Sequence, residues 1–361
     1  MTSYATTDRS QMFYWQTDRP FTPEETKSIF LDRHQTISKE ELTRAVETGM
    51  KATGHASSVA SMDDILAFGS VNVVVRAVLT DGTAVIVRAH PPGVPNGYFW
   101  AESIATTRAK AAGVPTYDAY YVDDSMSEFP FAYMIMEAIG GKVMSTIMDM
   151  SPTRDERLIE HTGELLAKIH SVKVKRFGFF DNRIAHEQLQ LIGNHERWEE
   201  HIFAAYIPNM RFLLDQKLIT REEVKKIDGI LHSHHDLLRY DDPRLIHNDI
   251  ADWNVRCEGD RIVGVLDWDE SYGGDPVADF SAWSVFFPYT RMEHLKTGYA
   301  RVSPLPDGFE EKLHFYRIRY IISKMVGRKG KIIADPAKTK YQDMLEYAIK
   351  ILHEEFEWYG V

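Results

Sequence analysis

Apolar and polar positions alternate along this chain in two different rhythms. In the first half, residues 73–79 (Val-Val-Val-Arg-Ala-Val-Leu) and 84–88 (Ala-Val-Ile-Val-Arg) flank Asp81-Gly82. An Asp-Gly pair between β-branched runs predicts a tight antiparallel hairpin. Residues 131–136 form another apolar run, predicting a strand that ends in the connector Glu137-Ala138-Ile139-Gly140-Gly141. Beyond residue 150 the spacing turns helical. Leu158, Ile159, Thr162, Leu165, Leu166 and Ile169 follow a capping-box sequence at Thr153-Arg154-Asp155-Glu156. A second box, Thr220 with Glu223, precedes Val224, Ile227, Ile230 and Leu231. Two further helix starts stand before the first strands, at Thr22-Pro23-Glu24-Glu25 and Ser38-Lys39-Glu40-Glu41. Strands gathered ahead of helices give an α+β chain. A late hairpin interrupts the helices: residues 255–257 and 261–266 read as strands joined by Glu258-Gly259-Asp260. The run Trp283, Phe286, Phe287 and Tyr289 reads as core, part of it available to wall a pocket.

Composition narrows the class. The 361 residues, 44 % of them hydrophobic, can fill two packed lobes, and no repeat or low-complexity segment appears. The single Cys257 excludes an intrachain disulfide framework, and residues 1–30 carry no charged-then-apolar leader, so the chain is expected in a reducing cytoplasm. No apolar run reaches the roughly 20 residues needed to span a bilayer. A net charge of −11 speaks against nucleic acid as a partner. Between residues 241 and 279 there are eleven Asp or Glu against three Arg. That excess predicts a face that favours magnesium and cationic small molecules.

The chemistry is concentrated in His247-Asn248-Asp249-Ile250-Ala251-Asp252-Trp253-Asn254 and, thirteen residues on, Asp267-Trp268-Asp269. Moving a γ-phosphoryl group needs a residue to orient the accepting hydroxyl and oxygen ligands for the metal that neutralises the phosphates. Asp249 suits the first task. Asn254 and Asp267 suit the second, because hard Mg²⁺ takes carboxylate and amide oxygens together with substrate phosphates. Asp252 and Asp269 are candidates to assist the metal shell or bind the acceptor.

Through these residues the chain resembles the aminoglycoside phosphotransferase and choline kinase-like family, which shares the protein-kinase catalytic core. His247, Asp249 and Asn254 match His-x-Asp-x-x-x-x-Asn, and Asp267-Trp268-Asp269 is similar to the family's counterpart of Asp-Phe-Gly. Gly274-Asp275-Pro276 with Asp279-Phe280, and the helix ending Leu165-Leu166-Ala167-Lys168-Ile169-His170, extend the resemblance over roughly residues 55–290. It implies a two-lobed protein-kinase-like fold, with a helical extension at 1–54, a small nucleotide-binding sheet lobe at 55–137 and a mainly helical catalytic lobe at 138–361. It further implies that Gly69-Ser70-Val71-Asn72 covers the nucleotide and that Arg88 stands where the family's phosphate-binding lysine belongs, partnered by Glu102. Backbone groups at Glu137 and Ile139 would meet adenine. His247 would brace the catalytic loop, and Asp275 and Asp279 would serve structure.

The implied activity is transfer of the γ-phosphate of ATP or GTP, with Mg²⁺, to a hydroxyl of an aminoglycoside or related antibiotic. An amino alcohol, sugar or amino acid is the alternative acceptor, and a non-catalytic nucleotide-binding protein the alternative class. A protein kinase is not expected, because Asp267 to Asp279 leaves no room for an activation loop and Ala-Pro-Glu. The acceptor pocket is expected from residues 194–240 and 283–320, and the first 54 residues are expected to pack on the lobe, cover a pocket or mediate a homodimer.

Overall fold

The structure is a computed structural model that describes residues 37–55, 57–65, 72–93, 96–149, 151–288, 290–337 and 339–361. The second predicted helix start is present. Helix α1 (Lys39–Ala52) begins at a capping box in which Ser38 and Glu41 exchange side-chain and backbone hydrogen bonds. The start at Thr22 lies outside the described residues, as does Tyr289.

Strands β1 (Val59–Met62), β2 (Val73–Leu79), β3 (Ala84–Ala89), β4 (Ala119–Asp123) and β5 (Tyr133–Glu137) form one antiparallel sheet in the order β1-β2-β3-β5-β4. The predicted Asp81-Gly82 turn joins β2 to β3, with Gly82 at φ +89°, a left-handed conformation that suits glycine. Period-two alternation then divides the sheet. Val85, Val87 and Ala89 face a small core shared with Leu42, Ala45, Val46 and Met50 of α1. Arg88, between them, points to the opposite face. Helix α1 therefore packs within the sheet's core, although it falls before the expected boundary at residue 54.

Helix α2 (Phe99–Ala111) lies beneath the other face and is buried on most sides, which its weak amphipathicity allows. Asn96 Oδ1 accepts from the Tyr98 and Phe99 N–H groups at 3.0 and 2.7 Å. Asn182, far along the chain, accepts from Trp100 and Ala101 at 3.0 and 3.2 Å, so a tertiary contact completes the helix start. After β5 come β6 (Lys142–Val143), α3 (Pro152–His170), β7 (Phe177–Phe180), α4 (Asn182–Gln188), β8 (Gly193–His195), α5 (Trp198–Phe203), α6 (Tyr206–Asp215) and α7 (Arg221–Ser233). The Thr220–Glu223 capping box opens α7 as expected. The box predicted at Thr153 is absent: Ser151 is the N-cap and Pro152 takes the first helical position, which places Thr153 inside the helix.

Strand β9 (Arg244–Ile246) leads into the 247–254 stretch. Strands β10 (Val255–Glu258) and β11 (Arg261–Val265) form the late hairpin, and β12 (Tyr272–Gly274) pairs with β7 and β9. Helices α8 (Val277–Ser284), α9 (Thr290–Ala300), α10 (Phe309–Ala334) and α11 (Lys340–Tyr359) close the chain. A large core joins these helices to Met134 and Met136 of β5 and to α2. The sheet is thus seated on the helical part through the face that carries Arg88. Among the described residues, no helix is long and apolar enough to cross a membrane.

Candidate active site

Strand β9 ends at Ile246, and the chain enters a loop fixed by one buried carboxylate. Asp279 Oδ2 accepts from the His247 N–H at 3.0 Å, and its Oδ1 accepts from the Asn248 N–H at 2.6 Å. His170, at the end of α3, also meets Asp279 Oδ2 at 2.9 Å. Two backbone donors that would otherwise be orphaned in the interior are satisfied this way.

Asn248 has φ +69°, a conformation that Asn tolerates better than most residues. Its side chain is held at both ends, with Nδ2 donating to Glu270 Oε2 at 3.0 Å and Oδ1 accepting from the Tyr320 hydroxyl at 2.9 Å. His247 Nε2 donates to the Leu266 carbonyl at 3.0 Å, and Nδ1 accepts from the Asp249 N–H at 3.3 Å. Burial lowers the pKa of this histidine, so the ring is neutral and serves as a brace.

The loop thereby presents Asp249 beside Asn254. Asn254 Nδ2 donates to Asp249 Oδ2 at 2.7 Å and to its carbonyl at 2.8 Å, which leaves the Asn254 Oδ1 without a partner among the described residues. Burial raises the Asp249 pKa to about 7, Glu270 and Asp269 add to the rise, and Lys324 and the Asn254 hydrogen bond oppose it. The Leu266 N–H donates to the Asn254 carbonyl at 2.7 Å, which ties the end of β11 to the loop and delivers Asp267 next to it. Trp268, fully buried against His247 at 4.6 Å, anchors this turn through its indole N–H. Asp267 itself sits at φ +64°, a strained conformation for a non-glycine residue, which aims its carboxylate into the cleft.

Arg88 crosses from the sheet to this group. It pairs with Glu102 of α2, and its Nη2 lies 3.3 Å from both Asp267 Oδ1 and Asp269 Oδ2. Tyr117 also donates to Glu102. The Asp267 carboxyl is pushed well above the usual carboxylate range by burial and then by Asp269, Asp249 and Glu102, against the pull of Arg88. Since 42 % of its side chain remains exposed, the crowding of like charges is the cause we favour. Asp249, Asp267 and Asp269 therefore make an acidic focus that a cation would relieve. Among the described residues no three His, Cys, Asp or Glu side chains gather closely enough to cage an ion themselves. Such a cation would depend on nucleotide oxygens as well, which is how Mg²⁺ is commonly held.

Other expected site residues have partners within the protein or fall outside the described residues. Gly69 and Ser70 lie outside the described residues. Asn72 is buried, accepting from the Tyr98 hydroxyl at 3.1 Å and meeting His90 Nδ1 at 2.9 Å, so its side chain braces the sheet. Glu137 ends β5 instead of opening the connector, and its N–H donates to the Asp118 carbonyl at 2.9 Å. The Ile139 carbonyl faces Arg256 Nη2 at 3.4 Å. Asp252 pairs with Arg291 at 3.1 Å.

The acidic face is correspondingly less open than its sequence suggests. Asp275 is paired with Lys312 at 2.8 Å, Asp260 with Arg157 at 2.6 Å, and Asp242 with Arg244. Tyr117, Glu270, Arg291 and Tyr320 were not singled out by sequence. Asn248, adjacent to Asp249 and of a residue type that tolerates a left-handed turn, carried a usable signal.

Residues 65–307, more than half of the chain, match the model of the phosphotransferase enzyme family, and the chain belongs to that family. It is a phosphotransferase acting on small-molecule hydroxyl groups, and membership implies ATP as co-substrate. Among curated proteins no relative matches the sequence. Solved structures share the fold. A Thermobifida fusca protein described as a fructosamine-3-kinase is 21 % identical with a TM-score of 0.59, covering 87 % of this chain and 100 % of that one. A Ralstonia eutropha protein described as an aminoglycoside phosphotransferase is 18 % identical with a TM-score of 0.64, covering 88 % and 97 %. The aminoglycoside phosphotransferase APH(4)-Ia in a ternary complex with AMP-PNP and hygromycin B is 17 % identical with a TM-score of 0.59, covering 85 % and 98 %. At these identities the likeness establishes the two-lobed kinase-like fold.

Proposed function

We propose that this protein transfers the γ-phosphate of ATP or GTP to a hydroxyl of a small molecule held against the 247–254 loop, with Mg²⁺ as cofactor. The observation that carries the reading is the convergence of Asp249 and Asn254 from one loop, Asp267 from the end of β11 and Arg88 from β3 onto one acidic focus in the cleft. Asp249 accepts the hydroxyl proton as the acceptor oxygen bonds to the γ-phosphorus. The bond from that phosphorus to its bridging oxygen breaks, and the electron pair leaves with the nucleoside diphosphate. Asn254 Oδ1 and Asp267 are the groups that would hold Mg²⁺, which when bound neutralises charge on the phosphates. Arg88, oriented by Glu102, offers its guanidinium to phosphate oxygens. Residues 55–137 with α1 form the nucleotide lobe in this reading, and residues 138–361 the catalytic lobe.

For the acceptor, a neighbour of the same fold that holds hygromycin B makes a hydroxylated antibiotic one class, with resistance as its consequence. A hydroxylated metabolite is the other. The paired state of Asp252 and Asp275 favours the metabolite, since these buried acids are already matched by cations and add little attraction for a polycation.

Asp249→Ala is expected to lower acceptor-dependent ATP consumption by roughly a thousandfold while Mg-nucleotide binding persists. Unchanged turnover in the variant would remove Asp249 from the mechanism.

A further inference from the structure

One cation beside the catalytic loop has no part in this chemistry. Tyr320 of α10 donates to Asn248, the residue before Asp249, and so fastens one face of that helix to the loop. Lys324 lies one turn further along the same face. Its Nζ stands 4.9 Å from the centroid of Phe286, which meets the Trp253 ring edge-on at 5.1 Å. Trp253, between Asp252 and Asn254, is 43 % exposed. An aromatic wall with a half-buried ammonium on its rim thus adjoins Asp249, whose charge that ammonium favours.

Lys331, a buried cation close to Lys324, stands 5.3 Å from the Tyr341 ring centroid, and four further cations have polar partners. Arg88 serves Glu102, Asp267 and Asp269, Arg291 pairs with Asp252, Lys312 pairs with Asp275, and Arg328 donates to the Met344 carbonyl at 2.6 Å. Lys324 has neither a hydrogen bond nor an ion pair with any described residue, its contact being the Phe286 ring. Glu270, the nearby buried acid, is held by the Asn248 amide at 3.0 Å.

An ammonium partly stripped of water and joined to no carboxylate by a direct ion pair among the described residues favours an arriving anion and disfavours a cation. We propose that the acceptor carries an anionic group, a carboxylate or a phosphate ester, which Lys324 binds while the acceptor's apolar body rests on Phe286 and Trp253 and its hydroxyl reaches Asp249. The assignment rests on phosphotransfer at Asp249. It makes Lys324 a specificity-determining residue, placed just past the segment expected to build the pocket.

The test uses the full chain saturated with Mg-AMP-PNP and two matched probe sets. One is glucose, glucosamine, glucuronate and glucose 6-phosphate; the other is glycerol, ethanolamine, glycerate and glycerol 3-phosphate. Binding is read by thermal shift and titration. At least one anionic probe is expected to bind about tenfold or more tightly than its neutral and amine counterparts, and the carboxylate and phosphate arms show which anion is preferred. Lys324→Gln should lose that preference and Lys324→Arg should keep it.

Equal or tighter binding of neutral or amine probes, no binding of any anionic probe, or undiminished anion binding by Lys324→Gln each overturns the inference. Melting of the free variants shows whether they fold; if Lys324→Gln does not, Lys324→Met and the wild-type preference decide. Phosphoryl transfer from ATP to an amine or neutral probe, with anions refused, would sink this inference and leave phosphotransfer standing. Failure of Mg-AMP-PNP to bind the wild-type chain would instead sink the reading beneath it.

Discussion

At Asp249 a single carboxyl joins proton affinity to both catalysis and stability. Its folded pKa, raised to about 7 by burial and neighbouring acids, lies above its ordinary value of 3.8. The folded protein therefore holds this proton more tightly than the unfolded chain does, and ionising it costs stability as pH rises across that window. Without nucleotide or metal, Asp249→Asn is expected to melt higher than the wild type at pH 8, with the gap closing toward pH 4. Melting curves at three pH values check this, and a gap that widens on acidification would reverse the assignment. In the wild type, kcat/KM should rise with pH as Asp249 ionises, and bound Mg²⁺ should move that limb below 7. The candidate base and metal ligands were legible in sequence because Asp249, Asn254 and Asp267 are oxygen-bearing residues at a recognisable spacing. The partners of Asn72 and Asp252 were not legible, because residue type does not reveal which way a side chain turns, here toward His90 and Arg291.

At the level of elements, hydrophobic rhythm and turn chemistry carried far. The Asp81-Gly82 hairpin, the β10–β11 hairpin and the capping boxes at Ser38 and Thr220 form as their local sequences direct, since each is satisfied by residues within a few positions. The start of α3 went differently because Ser151-Pro152 offered an earlier cap and first turn than Thr153. Helix packing was not legible at all. Helix α9 crosses α3 so closely that a Cβ on Gly298 would lie 1.7 Å from the Glu160 carbonyl oxygen, and one on Gly163 2.1 Å from that of Leu295. Gly298→Ala should thus force the helices apart and cost about 1–3 kcal/mol or more in urea denaturation. At Gly229 of α7 an added Cβ meets nothing within 4 Å, and Gly229→Ala should be neutral or stabilising by about 0.5–1 kcal/mol. Equal effects at the two sites would show that close approach is not what α9 requires.

On the scale of the whole molecule, the site exists because a sheet and a helical body meet. Arg88 comes from the sheet, Glu102 from the intervening helix, and Asp267 and Asp269 from the end of β11, so nucleotide bound at this junction should stabilise both parts together. Mg-AMP-PNP at a hundredfold excess over its Kd should add about 2.7 kcal/mol of stability, and EDTA should remove most of that gain. A Tm unmoved by Mg-AMP-PNP would place the nucleotide elsewhere. The sequence by itself determined the fold class, the three strands β2, β3 and β5 of the small sheet, the family and the candidate residues for phosphoryl transfer, because these depend on local spacing and side-chain chemistry. Only the tertiary structure decided which carboxylates stay open to the cleft and which are paired with Arg291 or Lys312, and only it brought Tyr320 and Lys324 to the 247–254 loop. Charge balance in a cleft is set by contacts between segments far apart in the chain, and a count of acids along one segment does not contain them.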